Sequence, residues 1–353
     1  MKRFVVLFLA LLIGACAPMV QRPLSQTPGF SGPRLEADRF VSFDGAPLGL
    51  TAWTPASDDP WAVIVGVHGM NDYANAFHLA APYWASQGIA TYAYDQRGFG
   101  RSPHRGVWAG DGLFVEDLRT ITALVRARYP HAIIAIAGES LGGAVAIEAF
   151  ASPRPPAADR LILLAPAVWG WSSQPLVYRA ALVIAARLAP DKVFTPPSFV
   201  TDHISASDNR EELIAMGRDP LMIWGARSDA LYGLVNTMQH ASSEIGAVRA
   251  PTLYMVGAHD QIIPRHPALE AAARLPTGDR TAWYAHGWHL LLRDKHAPDV
   301  WEDIAAFLRD PNAPLPSGAP PVPSPRAPLR APVREASKPA PTAPGLVGAG
   351  PAG

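Results

Sequence analysis

One cysteine, Cys16, stands among 353 residues. That excludes a disulfide framework and a cysteine-ligated zinc site. Charge is scarce as well: Asp, Glu, Lys and Arg make up 17% of the chain, and 30 basic residues balance 30 acidic ones. With no basic excess to displace counterions from a phosphate backbone, a nucleic-acid partner is excluded. No internal repeat of solenoid or propeller period is visible. What the chain has in quantity is apolar surface, 49% of its residues, which is enough for a sizeable core. Its 37 prolines are unevenly spread.

The single cysteine follows a distinctive start. Lys2 and Arg3 form a short positive segment, Phe4 to Ile13 is an unbroken apolar run, and Gly14 and Ala15 are small. Ten residues are too few to cross a bilayer of roughly 30 Å as a helix, but they suit the apolar region of a secretory signal. The ending Ile13-Gly14-Ala15-Cys16 resembles the lipobox of bacterial lipoproteins. The resemblance implies cleavage before Cys16, so that residues 1–15 are a signal peptide, and lipidation of Cys16. Multiple acyl chains hold a membrane far more firmly than one. Ala17 replaces the aspartate that retains lipoproteins in the inner membrane in enteric-type sorting, so the expected location is the cell envelope, at the outer membrane. A plain secretory signal with an incidental cysteine is the alternative. Residues 16–38, with four prolines between Ala17 and Arg34, read as a tether.

Residues 39–309 alternate apolar runs with helical patterns. The runs Trp61–Val67, Ile89–Tyr94, Ala132–Ala137, Leu161–Leu164, Thr252–Val256 and Arg280–Ala285 suit strands covered on both faces. Helical patterns over Asn75–Gln87, Gly112–Arg128, Leu141–Phe150 and His266–Arg274 separate them. This predicts a mostly parallel α/β sheet with helices on both faces, entered by an antiparallel hairpin near Arg39–Phe43 and Leu48–Trp53. From Asp310 onward the composition turns to Pro, Ala, Gly and Ser and loses its aromatics. Residues 310–353 are therefore expected to be a disordered, partly extended tail.

The run Ala132–Ala137 leads into Gly138-Glu139-Ser140-Leu141-Gly142-Gly143, directly before a helical pattern. A G-x-S-x-G between strand and helix is a nucleophile elbow, which lifts the serine hydroxyl above the sheet. A serine nucleophile needs a base, and the base an orienting carboxylate, in the chain order Ser, acid, His. Asp260 follows the run Thr252–Val256, at the strand end where ligands gather in open sheets. After the last strand come His286-Gly287-Trp288-His289. His289, between a glycine loop and the final helix, is the better base, and His286 reads as a loop residue. The oxyanion hole needs two backbone N–H donors. Leu141, after the nucleophile, supplies one, and Met70, in His68-Gly69-Met70-Asn71-Asp72 after the run Trp61–Val67, supplies the other. His68 is expected to brace that loop.

The pieces "VHGMNDY", "YDQRGFGRS", "GESLGG", "GAHDQIIP" and "HGWHLLLRD", in this order, resemble the monoacylglycerol lipase and lysophospholipase group of α/β-hydrolases, also called serine aminopeptidase-like. The resemblance implies the α/β-hydrolase fold, the triad Ser140, Asp260 and His289, no metal or organic cofactor, and a structural turn at Asp95 to Ser102. It also implies a helical cap where about eighty residues, 166–247, separate the sixth strand from that of Asp260. Apolar Leu176, Val177, Leu182, Val183 and Ile184 are expected to form its lining or lid. Trp169, Trp171, Trp224 and Tyr232 add aromatic surface to it. The expected function is hydrolysis of a carboxylic ester, a monoacylglycerol or lysophospholipid, by a membrane-anchored enzyme. A short-chain esterase, thioesterase or peptidase of the same fold is the alternative within the class. A non-catalytic lipid-binding lipoprotein is the alternative outside it.

Overall fold

The computed structural model describes residues 18–25, 29–195 and 203–325. Its strands are β1 (Arg34–Leu35), β2 (Arg39–Val41), β3 (Pro47–Trp53), β4 (Ala62–Val67), β5 (Ile89–Tyr94), β6 (Ile133–Glu139), β7 (Arg160–Leu164), β8 (Val193–Phe194), β9 (Ala226–Arg227), β10 (Thr252–Gly257) and β11 (Arg280–Tyr284). Nine of them form one sheet in the order β1-β2-β3-β5-β4-β6-β7-β10-β11. The pairings from β5 to β11 are parallel, whereas β1 to β3 form an antiparallel entry that joins β5. The expected mixed sheet is therefore present.

Burial on both faces explains the apolar runs. Every residue of β4, β5 and β10 is buried. Alternation along β4 sends Val63, Val65 and Val67 to one side and Ala62 and Ile64 to the other. The first side packs under helices Asp111–Arg128, Leu141–Ala151 and Ser228–Glu244, and the second under Ala80–Ser86 and Ala297–Arg309. The expected helix over Asn75–Gln87 is instead a 3-10 turn, Ala74–Phe77, followed by the shorter helix Ala80–Ser86. Between β7 and β10 lie helices Leu176–Leu188, Arg210–Arg218 and Ser228–Glu244 and the ribbon β8–β9. Among the described residues no helix is long and apolar enough to cross a membrane.

Two segments depart from their expected looseness. In the expected tether, the Gln21 amide bonds to Trp108 O at 2.9 Å. The Leu24 amide bonds to Asp44 Oδ2 at 2.8 Å, and Arg34–Leu35 pairs with β2. In the expected tail, residues 310–325 lie along β11: Trp283 N–H donates to Pro320 O at 2.8 Å, and Val322 N–H to Thr281 Oγ1 at 2.9 Å. Leu315 is buried, and the Ser317 hydroxyl donates to Asp303. Composition misleads here because these contacts are made by backbone groups and single side chains rather than by a periodic apolar face. Residues 1–17, with the expected signal and Cys16, lie outside the described residues.

Candidate active site

The turn from β6 into helix Leu141–Ala151 forces Ser140 to φ 52°, a left-handed conformation that a non-glycine residue adopts only when its surroundings impose it. They do. The Ser140 amide bonds to Leu164 O at 3.0 Å, and Ser140 O accepts from Ala144 and Ala167. The flanking glycines are needed for space: a Cβ at Gly138 would lie 2.5 Å from Gly142 O, and one at Gly142 would collide with Val67 O. Ser140 thus stands above the C-terminal ends of β6 and β4, as the elbow motif requires.

Asp260 and His289 arrive from the loops after β10 and β11. Asp260 Oδ2 accepts from His289 Nδ1 at 2.9 Å, with both side chains buried. Asp260 Oδ1 accepts the amides of Ile262 and Ile263, at 2.8 and 2.9 Å, which fixes the carboxylate plane. Burial disfavours the imidazolium, but the facing Asp260 outweighs it and holds the His289 pKa above the ordinary histidine value. With Nδ1 tied to the carboxylate, Nε2 is the nitrogen left for proton transfer. His286 has no part in this pair; its ring stacks on His296, 4.9 Å between centroids.

The loop after β4 lies against the elbow: a Cβ at Gly69 would meet Ser140 Cβ at 3.3 Å. Met70 follows Gly69, while Leu141 is the first residue of its helix, so its N–H has no intrahelical acceptor. His68 braces this loop as expected. It is fully buried, its Nδ1–H donates to Gly69 O at 2.7 Å, and its Nε2 accepts from Gln96 N at 2.9 Å. Burial depresses its pKa, in keeping with a neutral ring. The turn at Asp95–Ser102 is structural too. Asp95 accepts the Ala74 and Arg101 amides, and the buried Arg97 is forked between Asp44 and Asp117.

The cap is sewn to both loops of the site. Ile223 N–H donates to Asn71 O at 3.0 Å, and the His289 and Leu290 amides donate to Ala206 O. Tyr73 donates its hydroxyl to Asp219 at 2.6 Å. A small apolar crevice, with room for little more than one water molecule, lies beside the oxyanion loop, lined by Met70, Phe99, Trp108, Ile223, Ala226 and Ala230 among others. The expected lining from helix Leu176–Leu188 is corrected in part. Leu176, Val177 and Ile184 point outward, 77%, 68% and 57% exposed, while Leu182 packs inward. Helix Ser228–Glu244 takes the inner face of that helix, so its apolar residues coat the outside of the cap. Phe99 and Trp108 were not legible as lining residues, since only the fold brings the segment after β5 under the cap.

Sheet order, elbow and the carboxylate–histidine pair at neighbouring strand ends together define an α/β-hydrolase. Residues 58–296 match the family described as serine aminopeptidase, S33. Monoacylglycerol lipase of Mycolicibacterium smegmatis is 30% identical over 275 residues, 76% of this chain and 95% of that protein. Monoglyceride lipase of Rattus norvegicus is 26% identical over 77% of this chain and 88% of its own. In fold, the chain is similar to the monoacylglycerol lipase of Paleococcus ferrophilus, with TM-score 0.60, 21% identity, and 74% and 98% of the two chains covered. It is likewise similar to a soluble variant of the Saccharomyces cerevisiae monoglyceride lipase in complex with a substrate analog, with TM-score 0.62, 16% identity, and 81% and 98% covered. The chain belongs to the serine aminopeptidase S33 family of α/β-hydrolases and is a serine ester hydrolase.

Proposed function

We propose that the chain hydrolyses monoacyl lipid esters, monoacylglycerol or lysophospholipid, through the triad Ser140, His289 and Asp260. The observation that carries the triad is the buried Asp260–His289 bond of 2.9 Å beside the Ser140 elbow. Ser140 Oγ attacks the ester carbonyl as His289 Nε2 takes its proton, and Asp260 holds the imidazole and stabilises its charged form. The Met70 and Leu141 amides receive the oxyanion. His289 then protonates the leaving alcohol, and water, activated by the same imidazole, resolves the acyl-enzyme. The apolar character of the residues beside the oxyanion loop, Met70, Phe99, Trp108 and Ile223 among them, supports an acyl chain as the bound group, and the names of the relatives above support a monoacylglycerol head. The lipobox-like Ile13-Gly14-Ala15-Cys16 supports anchoring of the enzyme through Cys16, at the outer membrane, where such lipids are at hand. The outward apolar residues of the cap would then face the lipid.

The test is a comparison of Ser140→Ala, His289→Ala and His286→Ala on 1-monoacylglycerol, lysophosphatidylcholine and p-nitrophenyl esters. The first two substitutions should leave only a residual rate, and the third should act mildly. A dead His286→Ala beside an active His289→Ala would overturn the assignment of the base. Hydrolysis confined to acetate esters would overturn the assignment of the substrate.

A further inference from the structure

Arg293 has its side chain 1% exposed and lies at the centre of four segments of the site. Its Nη2 donates to Asp72 Oδ2 at 2.7 Å and to Glu139 Oε1 at 2.8 Å. Its Nη1 faces Met216 Sδ at 3.7 Å and Glu212 Oε1 at 4.0 Å, both on the cap helix Arg210–Arg218. Arg293 itself follows the base by four residues, and the next residue, Asp294, accepts from Trp288 N and Ser207 Oγ, each at 2.6 Å. Glu139 immediately precedes the nucleophile. Asp72 closes the oxyanion loop, its amide bonded to Gly69 O. One guanidinium nitrogen therefore holds together the two backbone segments that carry Met70 and Leu141.

Stability alone does not account for this arrangement. Taking a guanidinium and carboxylates out of water opposes much of their mutual attraction, and such groups can often be replaced by apolar ones without loss. Here burial pushes the Glu139 carboxyl up despite its partner. Glu139 Oε2 and Arg293 Nε are also buried without a hydrogen-bond partner among the described residues. What the cluster does deliver is geometry. An oxyanion hole works only if both donors reach the place where charge develops, and the spacing between them is the spacing between the Gly69–Asp72 loop and the end of β6.

We propose that Arg293 is a positioning residue for the oxyanion hole, its Nη2 clamping Asp72 to Glu139 so that the Met70 and Leu141 amides keep a common focus. The proposal rests on the triad and oxyanion donors assigned under the proposed function. Ground-state binding of the acyl chain does not use the two amides and so does not depend on the clamp. Transition-state binding does.

The experiment compares wild type with Arg293→Met, Arg293→Lys and Asp72→Asn. The last is nearly isosteric and removes the charge that faces the guanidinium without emptying the core. For each we would measure kcat and KM on p-nitrophenyl butyrate, the thermal midpoint, and the Ki of an alkyl trifluoromethyl ketone and of the matching methyl ketone. Arg293→Met and Asp72→Asn should lower kcat by ~10²-fold, the scale of losing one oxyanion donor, with KM within about threefold. The trifluoromethyl ketone, which forms the tetrahedral adduct, should weaken by the same factor as kcat/KM, and the methyl ketone should not. Lysine restores the charge without the fork and should fall between. A variant that folds, loses kcat and keeps its trifluoromethyl ketone affinity would overturn the clamp, as would full activity in either Arg293→Met or Asp72→Asn. If Arg293→Met does not fold, Asp72→Asn decides alone. A wild type whose hydrolysis survives Ser140→Ala would overturn the reading of the site itself, and the clamp with it. Intact Ser140 dependence beside the failures just named would overturn the clamp only.

Discussion

Asp260→Asn changes one atom, and the hydrogen bonds around it fix the consequence. Asp260 Oδ1 receives two backbone amides, from Ile262 and Ile263. An asparagine must keep its carbonyl oxygen there. The opposite orientation would set an NH₂ against two N–H donors and lose two bonds of about 1 kcal/mol each, before any penalty for burying unpaired donors. The NH₂ therefore faces His289 Nδ1, which can then only accept. The ring proton moves to Nε2, the nitrogen that has to take the Ser140 proton. The loss expected of such a tautomer is ~10⁴-fold in kcat/KM, or about 5.4 kcal/mol. A second signature follows from charge. The base works only when neutral, so activity is lost as pH falls through the His289 pKa, which Asp260 holds above the ordinary value. Without that carboxylate the acid limb of the residual rate should move to lower pH. Kinetics on p-nitrophenyl butyrate from about pH 5 to about pH 9, with a melting curve for each protein, measure both. A loss under about tenfold, or an acid limb that moves upward, would refute the tautomer argument.

Glu148, which the mechanism does not use, has its pKa pushed up to about 9 by burial and then by Asp111 and Glu244. The fold keeps it protonated while the unfolded chain ionises it above about 4.5, so wild type loses stability as pH rises between those values. Glu148→Gln should raise the melting point at about pH 8, by on the order of 1–3 kcal/mol of stability, and leave it nearly unchanged near pH 4.5; equal gains at both pH values would sink this account. In the acyl series of p-nitrophenyl esters, kcat/KM should climb by up to roughly fourfold per methylene, from about 0.8 kcal/mol each, and then level off. Ala226→Trp, which crowds the apolar crevice beside Met70, should bring the plateau to shorter chains, and an unchanged profile would remove that crevice from the acyl site. Cys16→Ser should move the protein out of the membrane fraction or leave its signal uncleaved, whereas a wild type that fractionates as freely soluble would refute the anchor.

The sheet and the chemically active residues were legible because both obey short-range rules. A strand covered on both faces must be apolar throughout, and β4, β5 and β10 are. The elbow glycines announce themselves by their spacing around Ser140 between a strand and a helix, and Asp260 and His289 each follow a strand end closely. What escaped the sequence depends on packing between distant segments. Leu176, Val177 and Ile184 carry the composition of a lining, but which side of a helix turns inward is decided by its neighbour, here helix Ser228–Glu244. Phe99 and Trp108 become lining residues only when the cap closes over them. Arg293 reads as a surface cation after the histidine until Asp72, Glu139 and Glu212 are seen to converge on it. The segments around Gln21 and Leu315 look unstructured by composition, because a few backbone bonds to a ready partner leave no periodicity.

The strip laid along β11 bears on how copies of this chain behave toward one another. An outer strand with open backbone groups is a template for a further strand, from the same chain or from a neighbour. β11 spends its outward Trp283 N–H on Pro320 O, and Pro320, Pro321, Pro323 and Pro325 have no N–H with which to carry a ladder onward. At the opposite border the sheet ends in β1, only two residues long. Both margins are thereby closed to strand addition. At high local concentration, such molecules could crowd together without zipping into a continuous sheet.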